Sequence, residues 1–361
     1  MKIGILTHYQ VESHGACLQH YALTRFLKDR GHEVYTLSYN KSFDFANNYE
    51  QKKFSLGIRS VPFYIKEYLF KQGPVFIRTM AKKHSLLQKF NKKHFSFLPY
   101  CDCGVDAAVI GSDEVWSLQL GANIMMYGHG VDAKKLISYA PSFGQTDIER
   151  IEKYHCRSLI ENGLKSFDSL SARDITSCRI AEELTGREVS LVCDPALLYG
   201  FEKELSGYHR MSKEKYVVVY AYNSNMNEPE RVEAIRRYAA STGAKVFSVG
   251  GFHKWCDKQI ACDPIDMLYW FKGAQAVFTD TFHGTITAFL TQTPMAVYVR
   301  NTNNVKLDHL LSVLSLESRK VMEDRSIFEI LEETVDYSRI SKEFEPFRKA
   351  CAEYLEQSLS K

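Results

Sequence analysis

The chain has 361 residues, 45% of them hydrophobic and 25% charged, with a formal net charge of +3. Such values belong to a globular protein, and the length predicts two domains that each bury a core. They exclude a disordered chain and a small disulfide-stapled scaffold, give no reason to expect nucleic acid, and leave no apolar run of the ~20 residues that a membrane-spanning helix requires. Nine cysteines without the spacing of a disulfide framework point to a reducing cytoplasm. The N-terminus enters a strand directly, so no signal peptide is expected.

Residues 2–8 read as a strand, and a polar turn leads into a helix over about 15–29 that Gly31 stops before a second strand at 33–38. This βαβ unit implies a parallel sheet. Residues 41–75, rich in Phe, Tyr and Asn without periodicity, read as an irregular insertion. Arg78, Lys82, Lys83, Lys89, Lys92, Lys93 and His94 fall on an amphipathic helix. Its basic side is a solvated face, or else the mark of a peripheral place beside a membrane. Strands at 106–110, 136–140, 169–172 and 190–193 all end in small or polar residues, and such ends line the ligand crevice of an open parallel sheet. Residues 1–199 make a first domain. After a Gly-, Glu- and Lys-rich break, strands at 216–222, 245–249, 276–279 and 295–299 alternate with helices at 228–242, 264–272 and 283–291. They form a second domain over 215–335. A last helix within 338–361 is expected to pack back on the first domain. The fold class is α/β, with two Rossmann-like domains facing a central cleft in the GT-B manner.

The P-loop, the dinucleotide-binding G-x-G-x-x-G, H-E-x-x-H and G-x-S-x-G are all missing, which turns attention to other strand ends. In Val277-Phe278-Thr279-Asp280-Thr281-Phe282-His283-Gly284-Thr285 an apolar strand runs into a helix start. The N–H groups of Gly284 and Thr285 there offer an anion site, and the helix dipole disfavours the protonated imidazole of His283, which suits a base or a neutral donor. Equally, Asp280 or Thr281 simply caps the helix and His283 fills its first turn. Tyr9, Ser13, His14 and Gly15 occupy a turn of the same form. Cys17, near a helix start, is either a thiol of lowered pKa or a small core hydrophobe. Gly111-Ser112-Asp113-Glu114-Val115-Trp116 offers two carboxylates as bases and an indole that could stack on a sugar, or else a helix cap and a core tryptophan. Arg173 is a cation for a phosphate or carboxylate, or the partner of Asp174. Arg300 and Lys306 flank a further strand end.

Taken in order, these turns resemble the polysaccharide pyruvyl transferase family. The resemblance rests on residues 1–7 and Gly15-Ala16-Cys17-Leu18-Gln19-His20-Tyr21, Ile110-Gly111-Ser112-Asp113-Glu114-Val115-Trp116, Ser138-Tyr139-Ala140-Pro141-Ser142-Phe143-Gly144, Ser171-Ala172-Arg173-Asp174, Asp194-Pro195, and Asp280-Thr281-Phe282-His283-Gly284-Thr285. It implies transfer of the enolpyruvyl unit of phosphoenolpyruvate onto two hydroxyls of a sugar in a surface polysaccharide or its lipid-linked precursor, with no metal or redox cofactor, in the cytoplasm or at the inner face of the membrane. By position, the resemblance makes His283 the leading acid/base, with Asp113 or Glu114 beside it. Arg173, Gly284, Thr285, Arg300, Lys306 and Gly15 would hold the donor; Tyr9, Ser13, His14, Ser112, Trp116 and Ser142 would meet the acceptor. Many members carry arginine two residues before the histidine, where this chain has Thr281. Either Arg300 or Lys306 replaces that cation, or donor use differs. A nucleotide-sugar glycosyltransferase of the same architecture and a non-catalytic saccharide- or phosphate-binding subunit are the competing readings.

Overall fold

The computed structural model describes residues 1–48, 50–51, 73–300 and 304–360. Most of the irregular insertion assigned to 41–75 lies outside them. Two five-stranded parallel sheets carry the architecture. The first contains β1 (Lys2–Leu6), β2 (Glu33–Ser38), β3 (Phe97–Pro99), β4 (Ala107–Asp113) and β5 (Leu136–Pro141), in the order 3-2-1-4-5. A parallel pair, β6 (Ser171–Ala172) and β7 (Ser190–Leu191), continues it past β5 through a bridge from Ile137 to Ser169. The second sheet repeats the order with β8 (Tyr216–Tyr220), β9 (Lys245–Val249), β10 (Lys258–Ile260), β11 (Val277–Thr279) and β12 (Met295–Val297), the first and fourth again adjacent.

The central strands are apolar without alternation because helices cover both faces. Val109 and Ile110 in β4 and Val217, Val218 and Val219 in β8 are all fully buried. Register is set by the same burial: Ile3 pairs with Val34 on one side and Ala107 on the other, and Val218 lies between Phe247 and Val277. The three-residue edge strands β3 and β10 escape a reading by periodicity because so short a run carries no period.

Apolar side chains of both halves merge into one core that takes in Leu18, Tyr139, Val218, Phe282 and, from the last helix, Leu355. That helix, Tyr337–Ser360, crosses back to the first sheet: the Tyr354 hydroxyl donates to the Ser138 carbonyl at 3.1 Å, and the backbone N–H of Cys193 meets Cys351 Sγ at 3.2 Å. None of the nine cysteines is in a disulfide, and no helix among the described residues is long and apolar enough to cross a membrane.

Candidate active site

In a doubly wound sheet the ligand crevice opens where the strand order reverses, at the carboxyl ends of the first and fourth strands. Here there are two such points, and the residues beyond β1 and β4 meet those beyond β8 and β11. The tightest contact is at Gly15, in the first turn of the helix His14–Lys28. A Cβ there would lie 2.4 Å from Cγ of His283. Alanine for glycine inside a helix normally gains about 1 kcal/mol. Gly15→Ala is expected to do the reverse, losing ~1–3 kcal/mol through overpacking. Thermal unfolding reads the sign directly.

His283 stands in the first turn of the helix Phe282–Leu290, whose cap is Thr281: its Oγ1 accepts the N–H of Gly284 at 3.0 Å, and its carbonyl accepts that of Thr285 at 3.1 Å. The expectation that these two N–H groups bind an anion is corrected, since both donors are spent inside the helix. A carboxylate faces the imidazole instead. Asp194, whose side chain is fully buried, lies 3.4 Å from His283 Nε2 and 3.0 Å from Nη1 of Arg173. The other Asp194 oxygen accepts the N–H of Ala196 at 2.9 Å, capping the helix Pro195–Tyr199. Burial by itself would raise the Asp194 carboxyl, but His283 and Arg173 hold it below the ordinary carboxylate range. Arg173 does not pair with Asp174, which caps its own helix through the N–H of Ser177; its guanidinium lies 4.4 Å from the centre of the Phe282 ring.

Asp113 approaches this group from the first sheet. The chain around it is backbone-strained: φ is 136° at Gly111, 32° at Ser112 and 77° at Asp113, a region that side chains other than glycine seldom occupy. No helix follows, so neither Ser112 nor Asp113 is a cap. The turn is pinned by Thr7 Oγ1 donating to the Ser112 carbonyl at 2.9 Å and by the N–H of Ser142 donating to the Asp113 carbonyl at 2.9 Å. Burial would raise the Asp113 carboxyl, but the charges of His8, Arg173 and His283 draw it down to about 2. Glu114 pairs with Lys306 at 2.5 Å, linking the two halves. Arg300 pairs with Asp280 at 2.8 Å, and Asn225 also donates to Asp280. Burial pushes the Asp280 carboxyl up against both partners. The charges of Asp113, Glu114, Asp280 and Arg300 all act on the hydroxyl of Tyr222.

Several expected acceptor contacts are corrected. Trp116 is completely buried against Phe143 and Phe167, and its indole N–H donates to the Met126 carbonyl at 2.9 Å, so no sugar can stack on it. Ser142 is buried, donating to Asp174 at 2.7 Å and accepting the N–H of Gly144. Ser112 is buried behind its own turn. His14 is buried with Nε2 at 2.8 Å from the Cys262 carbonyl, and Ser13 caps the first helix by accepting the N–H of Ala16. Gly15 serves as a seat for His283 in place of a donor ligand. Tyr9 remains half-exposed, packed on Tyr39 and Phe97, with its hydroxyl accepting from Gln10. Cys17 is the core hydrophobe: burial lifts its thiol to about 12.

Residue-by-residue reading missed Asp194 as the common partner of His283 and Arg173, although the Asp-Pro pair after a strand was its visible signal. His8, at the start of the first turn, is half-buried with its Nδ1 2.9 Å from the Tyr39 hydroxyl.

A family model described as polysaccharide pyruvyl transferase matches residues 14–302. No curated protein matches the chain in sequence. Among solved structures, a putative UDP-N-acetylglucosamine 2-epimerase from Listeria monocytogenes superposes with a TM-score of 0.51 at 10% identity, covering 98% of this chain and 94% of that one. The glycotransferase of kitacinnamycin gives a TM-score of 0.51 at 13% identity, with 99% of each chain covered. These likenesses establish a GT-B-like fold with two parallel sheets about a cleft.

Proposed function

Because the chain belongs to the polysaccharide pyruvyl transferase family, we propose that this transferase moves the enolpyruvyl unit of phosphoenolpyruvate onto two hydroxyls of a saccharide. The product is a cyclic pyruvate ketal. The donor methylene carbon gains a proton, its C2–O bond to phosphate breaks, and two C–O bonds form at C2. Of the two hydroxyl protons released, one balances the new methyl group and the other leaves on phosphate.

The observation that carries this reading is the buried cluster in which Asp194 meets both His283 and Arg173, with the charges of those two residues also lowering the Asp113 carboxyl. Protonating the methylene generates a cationic centre at C2, and an anion that stays ionised beside it lowers the barrier. Asp113, with its depressed pKa, fits that role better than general acid or base. His283, oriented by Asp194, is the candidate for proton transfer. Arg300, whose side chain is 29% exposed, supplies positive charge for the donor phosphate or carboxylate, while the buried Arg173 holds Asp194 in place beside His283. Arg300, paired with the residue next to Thr281, brings a cation to the helix start where the family arginine is missing.

The test is phosphate release from phosphoenolpyruvate over a panel of saccharide acceptors. His283→Ala is expected to lower it on the order of 10²–10⁴-fold. Unchanged release in a folded variant overturns the role of His283. Thermal stabilisation by a nucleotide sugar and none by phosphoenolpyruvate supports the glycosyltransferase reading; binding without turnover supports the non-catalytic one.

A further inference from the structure

The helix Pro74–His94 carries six Lys and Arg residues and no carboxylate along its whole length. At roughly 100° per residue, Val75, Arg78, Lys82, Lys89, Lys92 and Lys93 fall within an arc of about 100°. All six are exposed, and among the described residues none of the five cations pairs with an acid. The opposite side holds the buried Phe76, Leu87, Phe90 and Asn91. Among the described residues the basic stripe therefore lies opposite the buried side of the helix, and Val75 at its first turn is 61% exposed.

From this stripe we propose that the helix is a docking surface for an anionic lipid bilayer. Five cations on one face match the charge of a phosphatidylglycerol-type surface, to which each contributes attraction on the order of fivefold in partitioning. Val75, on the same arc, supplies an apolar group that a headgroup layer accommodates and a phosphodiester polymer does not. The inner side of the same helix frames the cleft: Lys83 Nζ donates to the Gly250 carbonyl at 2.8 Å, the ring of Phe76 packs edge-on to Phe252, and Asn91 Nδ2 donates to the Tyr9 carbonyl at 3.4 Å. A bilayer on the outer side brings a lipid-borne saccharide next to that opening. Only this last consequence rests on the saccharide reading above; docking itself needs no turnover.

Cosedimentation with phosphatidylcholine vesicles, and with vesicles one third phosphatidylglycerol, tests the proposal on the whole chain. Binding is expected to the anionic vesicles only, weakening as salt rises. Substituting Lys82→Gln, Lys89→Gln and Lys93→Gln together is expected to lower partitioning on the order of a hundredfold with the thermal midpoint unchanged. Val75→Ser is expected to weaken it further. The proposal is overturned by equal binding to both vesicles, by no binding, by a triple variant that binds like the parent, or by vesicle binding that a soluble RNA homopolymer abolishes. Failure in any of these ways leaves phosphate release from phosphoenolpyruvate as it was.

Discussion

Asp194→Ala is expected to cost about 3–5 kcal/mol of folding stability, because it leaves the buried Arg173 guanidinium without its counter-charge. Arg173 is 4% exposed at the side chain, so water cannot take the carboxylate's place. The same change frees Nε2 of His283, and transfer is expected to fall on the order of 10²–10⁴-fold. Denaturant unfolding and phosphate release measure the two effects on the same preparation. Adding Arg173→Met to Asp194→Ala separates them: removing both charges is expected to restore much of the lost stability, with transfer still abolished. If the double variant regained transfer, the ion pair would be scaffolding alone.

The second large effect is acid unfolding above pH 4. Burial lowers His8 to about 4 and His14 and His20 to about 3, from an ordinary 6.5; Lys41 and Lys83 add to the lowering of the first two. Above 6.5 all three are neutral in the folded and unfolded chains and contribute no pH dependence. Below it the unfolded chain takes up protons that the folded chain refuses, so stability falls as pH falls, until each folded pKa is reached. Each histidine contributes about 1.4 kcal/mol per pH unit in that window. Three together exhaust the roughly 5–15 kcal/mol stability of a typical protein within a few units. The carboxylates act later: the Asp113 contribution is lost only as pH drops from 3.8 towards about 2. His20 bonds to Thr36 and stacks on the ring of Phe95, so His20→Gln removes one titration while keeping a polar group beside Thr36. Its acid midpoint, followed by circular dichroism, is expected to move to lower pH; an unchanged midpoint would assign the transition to other groups.

Much of this protein is legible in one dimension. Strands β2 and β9 and the helix Pro264–Lys272 fall where period and punctuation put them, because apolar runs closed by Gly, Pro or Asp have few other solutions. The strand ends carrying Asp113, Arg173 and His283 are visible for the same reason, and so is the basic stripe. Local pattern does not reveal which polar groups are already engaged. Trp116 and Ser142 have the composition of ligand contacts, yet fold inward because Met126 and Asp174 supply partners that chain order does not announce. Asp194 becomes central only when two sheets of identical strand order bring their carboxyl edges together, joining positions 113, 173, 194 and 283. Chain chemistry thus determines the elements and the inventory of charges. The pairing of those charges is a long-range outcome of packing, because a buried ion must find its counter-ion wherever the fold places it.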